Sequence, residues 1–149
     1  MESEIQVGET AVPEALVEFL RARLAEDEAA ARRVRGSWRQ IGETGVVVAS
    51  DGGSAEECAN GNWGGIAEHI VRHDPVRILA DVEAKRRLIA RGGPFCTSEC
   101  DDPDNEPRNP DTNWATPLEH HLDCDAHVAA GVLAVPYADH PDYQEDWRP

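Results

Sequence analysis

Leu16, Leu20 and Leu24 recur every four residues with Phe19 beside them, an apolar stripe that predicts an amphipathic helix over 12–35. Pro13 suits the first turn, and Glu14 and Glu18 suit the positive end of the helix dipole. Arg32, Arg33 and Arg35 crowd the far end before Gly36 stops it. The period then changes. Residues 37–41 and 45–50 read as short strands, Asp51-Gly52 as a turn, and 53–58 as a third strand whose side chains suit a sheet poorly. Trp63-Gly64-Gly65 leads into a short helix over 66–73. Asp74-Pro75, an N-cap followed by a first-turn proline, then restarts a helix that carries Val76, Leu79, Val82, Arg86 and Ile89 at three- and four-residue steps. Lys85, Arg86, Arg87 and Arg91 sit near its end, before Gly92-Gly93, where the dipole favours them. Residues 101–111 mix three prolines with acids and predict a solvated loop. Thr116-Pro117-Leu118-Glu119 has capping-box spacing and predicts a last helix over 117–134, running through Leu122, Val128 and Leu133 to Pro136. The remainder, with Tyr137, Tyr143 and Trp147, predicts an extended tail pinned by aromatics, and all four tryptophans read as packing side chains.

These elements predict an α+β fold: a small, mainly helical single domain over 1–149. In it, helices over 12–35, 66–91 and 117–134 accompany a short antiparallel hairpin or three-stranded sheet over 37–58. A loop over 94–115, acidic and tied by metal, and a tail over 135–149 complete it. Composition adds one warning. Phe, Leu, Ile and Val number 29 of 149 residues, so the core is thin. Charge adds another: 29 acids against 14 basic residues give −15, and from Glu99 onward there are 13 acids and two arginines. Such a field disfavours broad nucleic-acid binding. Arginine outnumbers lysine 13 to 1, which points to coding bias more than to a binding surface. No apolar run approaches the ~20 residues needed to span a bilayer, and no secretory core follows the acidic start, so a cytoplasmic, membrane-free protein is expected.

In that compartment the four cysteines read as thiols or metal ligands. Cys96 and Cys100 are separated by three residues, and His121 and Cys124 by two. Two short-spaced pairs assemble a tetrahedral zinc site at little entropic cost, and a thin core gains from such a staple. His121 is the first choice for the fourth ligand beside Cys96, Cys100 and Cys124. His120, four residues before Cys124, and His127, three after it, remain alternatives. An iron–sulfur cluster drawing on Cys58 fits no common spacing. His69 and His73 lie four apart, on one helical face. Ile70 stands where a zincin would carry its glutamate base, so capping and core hydrogen bonding explain the pair better than metal does. Glu56-Glu57 and Asp101-Asp102 are adjacent and diverge on any regular element; they read as solvated charge. There is no phosphate loop, nucleophile elbow or dinucleotide fingerprint.

The run Glu68-His69-Ile70-Val71-Arg72-His73-Asp74-Pro75-Val76-Arg77-Ile78-Leu79-Ala80-Asp81-Val82-Glu83-Ala84-Lys85-Arg86-Arg87 resembles the signature of a family of small acidic proteins from high-GC Gram-positive bacteria and their phages. The ending Val135-Pro136-Tyr137-Ala138-Asp139-His140-Pro141-Asp142-Tyr143, closing in Trp147-Arg148-Pro149, is similar to that family's C-terminus, and the opening 16–24 with Trp38 matches as well. The family is uncharacterised, so the resemblance implies no activity. It implies a self-contained bacterial or phage protein with cysteines between the central helix and the tail.

Three functions compete on this reading. The first is a non-enzymatic interaction or regulatory module with a structural zinc, meeting a partner with a basic surface through its acidic C-terminal third, with Tyr137, Tyr143 or Trp147 as apolar anchors. The second is a metal-dependent enzyme using His69 and His73 or the Cys/His cluster. The third is an acidic decoy that mimics nucleic acid.

Overall fold

The computed structural model describes residues 13–34, 36–51, 54–97, 100, 120 and 124–149. Among them are four helices, α1 (Pro13–Val34), α2 (Gly64–Arg72), α3 (Pro75–Ile89) and α4 (Ala126–Ala134), and three strands, β1 (Ser37–Gln40), β2 (Val46–Asp51) and β3 (Ser54–Asn60). The fold is therefore α+β. Two compact units divide it, one made of Leu24–Ala84 and the other of the segments up to Arg23 and from Lys85; both boundaries fall inside helices, α1 and α3.

In the Leu24–Ala84 unit, the strands form an antiparallel sheet in the order β1-β2-β3. Ser37 faces Ser50 and Gln40 faces Val47 across the first pair. Across the second, Val47 faces Ala59 but Val48 faces Glu57, so Cys58 is the extra residue of a β-bulge. Val47 is fully buried, and α2 packs on β1 and β2 with Ala67 inward. Gly36 follows α1 at φ +81, and a Cβ there would lie 2.5 Å from the carbonyl oxygen of Ser50. Only glycine meets both conditions.

Asp74 caps α3 as the sequence predicts. Its Oδ1 accepts from the Arg77 amide at 2.9 Å, while Oδ2 accepts from the Trp38 amide at 3.0 Å, so one carboxylate joins the helix start to β1. Along α3 the expected stripe is partial: Val82 and Ile89 are buried, but Val76 is exposed. Trp63, expected to pack, is 63% exposed at the N-cap of α2. Trp114 lies outside the described residues.

The other unit is built on Leu16, Val17, Phe19 and Leu20 of α1, with Leu20 fully buried. The C-terminal segment differs from the extended tail expected. It folds into two short 3-10 turns, Val135–Tyr137 and Glu145–Trp147. Phe19 gathers it: ring centroids of His140, Tyr143 and Trp147 lie 5.5, 5.9 and 5.2 Å from its own. Arg23 stacks over Phe19 at 5.0 Å and is hydrogen-bonded to the His140 ring. The described part of the last helix begins at Ala126; 117–119 and 121–123 lie outside the described residues. Its buried face carries Ala126, Ala130 and Ala134, while Val128 is 67% exposed. A Cβ on Gly131 would stand 3.3 Å from the Trp147 carbonyl oxygen, so the C-terminal segment comes close to the helix at that position.

Candidate metal centre

The segment after α3 turns tightly. The Gly93 amide donates to Ala90 O, the Cys96 amide to Gly93 O and the Cys100 amide to Thr97 O, which curls the chain around its own thiols. Cys124 arrives just ahead of α4 and His120 stands in a bend, so neither is helical. The helical spacing expected to pair them is thus not what unites them. The chain nevertheless brings Cys96, Cys100, His120 and Cys124 together: one ligand atom from each lies within 4.8 Å of all the others. Cys100, His120 and Cys124 are buried, and Cys96 is half-buried.

The distances suit one small ion. Bonds of about 2.3 Å to sulfur and about 2.0–2.1 Å to nitrogen in a tetrahedron put sulfur and nitrogen roughly 3.6 Å apart. His120 Nδ1 lies 3.8 Å from Cys100 Sγ and 3.4 Å from Cys124 Sγ. The opposite ring nitrogen, Nε2, meets the backbone carbonyl of Ile89. A carbonyl only accepts, so Nε2 carries the proton and Nδ1 turns its lone pair to the thiols, the tautomer a metal ligand needs. The Arg91 guanidinium donates to the Cys100 carbonyl and helps fix that corner.

Burial pushes the Cys124 thiol up. Hydrogen bonds from the amides of Ala126 and Thr97, with the neighbouring Cys100 side chain adding to them, outweigh it and hold the group at about 7. The Thr97 amide to Cys124 Sγ distance is 3.4 Å. A thiol held near neutrality gives up its proton readily, and the thiolate is the form that binds metal. The four residues can hold a metal ion.

His121, the fourth ligand expected first, lies outside the described residues, and the structure sets His120 beside the three cysteines. His127 is not a member of the group; its ring packs edge-on against His120 at 5.8 Å. Cys58 sits exposed on β3 and is not a member either. Partial burial, with the neighbouring Glu57 charge adding to it, raises its thiol despite a lowering backbone hydrogen bond. His69 and His73 stack at 4.5 Å on α2, and His73 Nδ1 hydrogen-bonds to the His69 carbonyl at 2.9 Å. That is the capping role expected of His73. Among the described residues no third His, Cys, Asp or Glu joins them to make a metal-ligating group. Neither the Ile89 carbonyl nor the Arg23–His140 contact leaves a sequence signal: each joins residues far apart in the chain, without a motif.

A small α+β protein with a Cys3His cluster at the head of its last described helix is the class that fold and site define. The chain belongs to the Family of unknown function (DUF6221), whose model matches residues 13–149. No curated protein and no solved structure matches it. No described helix is long and apolar enough to cross a membrane.

Proposed function

We propose that this chain is a non-enzymatic contact module whose fold is held by one zinc ion at Cys96, Cys100, His120 and Cys124. The observation that carries the reading is the convergence of three thiols and one imidazole nitrogen within 4.8 Å. Three sulfurs and one nitrogen suit zinc's borderline softness. Four protein ligands also close the coordination shell, the mark of structural sites; catalytic ones keep a position open for water. The partner we propose is a protein with a basic surface. Residues 99–149 carry 13 acids against two arginines, and such a field speeds encounter with positive charge and weakens with salt over about 10 Å at 0.1 M.

Metal analysis of the purified protein tests the site: one zinc per chain is expected, lost in Cys100→Ser and in His120→Ala but kept in His121→Ala. Metal-free protein, or loss only with His121→Ala, overturns the assignment. A pull-down from host extract at low and high salt, repeated with Asp101, Asp102, Asp104 and Glu106 changed to their amides, tests the contact. An identical partner list from both proteins sinks it.

A further inference from the structure

The three thiols of the cluster are not equivalent. Cys100 and Cys124 are 4% and 2% exposed, whereas Cys96 is half-buried and is the member most open to solvent. Cys124 in turn is docked on the backbone of Cys96. Its sulfur donates to the Phe95 carbonyl at 3.6 Å and accepts from the Thr97 amide at 3.4 Å. Those two groups stand immediately before and after Cys96, so the Cys124 sulfur lies across the residue that solvent reaches. Cys100 is anchored differently, with its carbonyl held by Arg91 and its sulfur 3.8 Å from His120 Nδ1. The cluster sulfurs all lie within 4.8 Å of one another. A disulfide asks them to close to about 2.0 Å, a short approach for side chains already gathered at one point.

We infer that Cys96 is a peroxide-reactive thiol and Cys124 its resolving partner, so that hydrogen peroxide expels the metal by joining the two. The inference rests on the zinc reading above and adds the regulation of that site. A metal-bound sulfur is a thiolate, the nucleophilic form. The Cys96 thiolate attacks one oxygen of the peroxide; the O–O bond breaks, hydroxide leaves and a sulfenic acid remains. The Cys124 thiolate then attacks the Cys96 sulfur, the S–O bond breaks and a second hydroxide leaves. Two thiolates have given up two electrons, and one peroxide has become two hydroxides. Two of the four ligands are thereby consumed. Cys100 and His120 alone cannot close a tetrahedral shell, so the ion is released. Cys58 stands exposed on β3, outside the cluster, and serves as an internal control.

The test uses the full-length protein loaded with zinc, its metal content measured first. Titration with hydrogen peroxide should release about one zinc per chain, read by a chromogenic chelator, in step with one new disulfide. Proteolytic cleavage after Glu99 and Glu119 separates the three cysteines, so mass spectrometry of the unreduced digest identifies the link. A peptide joining Cys96 to Cys124 is expected, and dithiothreitol with added zinc should restore the metal. Cys58→Ser should leave the release unchanged. Zinc that stays bound through an excess of peroxide overturns the inference and leaves the zinc site standing. A Cys96–Cys100 link, release with Cys96 carried on to sulfinic acid, or oxidation confined to Cys58 overturns it equally. Protein that takes up no zinc at the outset overturns the zinc reading, and this inference with it.

Discussion

Replacing Cys124 by Ala should expose how far the fold depends on a metal held at the Cys/His cluster. The side chain is buried, its sulfur lies 3.4 Å from His120 Nδ1, and it accepts from the Thr97 amide at 3.4 Å. Two costs follow. The Thr97 N–H loses its acceptor in a part-buried place, worth about 1–3 kcal/mol. The larger cost is linkage: with free metal at ~1,000 times its dissociation constant, binding stabilises the native state by about 4 kcal/mol, and a site reduced to three ligands forfeits it. Together they make about 5–7 kcal/mol, and at about 2–4 °C per kcal/mol for a chain of this size the melting temperature should fall by roughly 10–28 °C. Thermal melts by circular dichroism, with and without a chelator and alongside metal analysis, separate the two costs. Chelation should take the wild type most of the way to the variant and leave the variant where it is. A wild type that melts at one temperature with and without chelator would refute the reasoning, because the cluster would then be only four packed side chains.

Four smaller perturbations test the frame. Gly36→Ala should cost at least about 1–2 kcal/mol in urea unfolding, because the position sits at φ +81; an unchanged midpoint would mean another turn geometry. Asp74→Ala should cost ~1–3 kcal/mol, since it removes both the α3 cap and the acceptor of the Trp38 amide, whereas Asp74→Asn should retain most of the stability. Trp147→Ala should cost about 3–5 kcal/mol, as the indole is buried against Phe19; a loss under ~1 kcal/mol would place the C-terminal turns outside the packed fold. The hydrogen bond from Arg148 outweighs the opposing desolvation and, with a smaller contribution from the Arg148 charge, holds the Glu145 carboxyl below its ordinary value. Its contribution is therefore full above the unfolded value and lost as pH falls through the lower folded one. Carboxyl NMR titration should show Glu145 returning to the ordinary range in Arg148→Gln.

What the sequence disclosed was what neighbours in the chain decide. Asp74-Pro75 announces α3, and Leu16, Leu20 and Leu24 announce α1, because caps and helical stripes are local chemistry. What tertiary contact decides stayed hidden. Along the last helix Ala126, Ala130 and Ala134 are buried while Val128 stands 67% exposed, an orientation that the order of residues in the chain does not announce. The C-terminal segment carries prolines that suggest extension, but four aromatic rings, Phe19, His140, Tyr143 and Trp147, gather it into turns. Arg23 and His140, 117 residues apart, could not be paired from spacing at all.

The cluster that could hold a metal was legible by residue type and not by geometry. Spacing singled out Cys96, Cys100 and Cys124 and left three histidines open, since an assumed helix over 117–134 offered each a plausible face. His120 is distinguished by something no motif records, the Ile89 carbonyl that fixes its tautomer. Around these ligands the buried cluster consists of Cys100, Cys124 and Ala126, with Cys96 packed against it. Among the described residues, three thiols and one methyl give this cluster little of the ~1.5–3 kcal/mol that each buried Leu or Ile supplies elsewhere. The ordering entropy of the turn after α3 must then be met by something else. On the zinc reading, metal–thiolate bonds meet it where apolar burial is weakest.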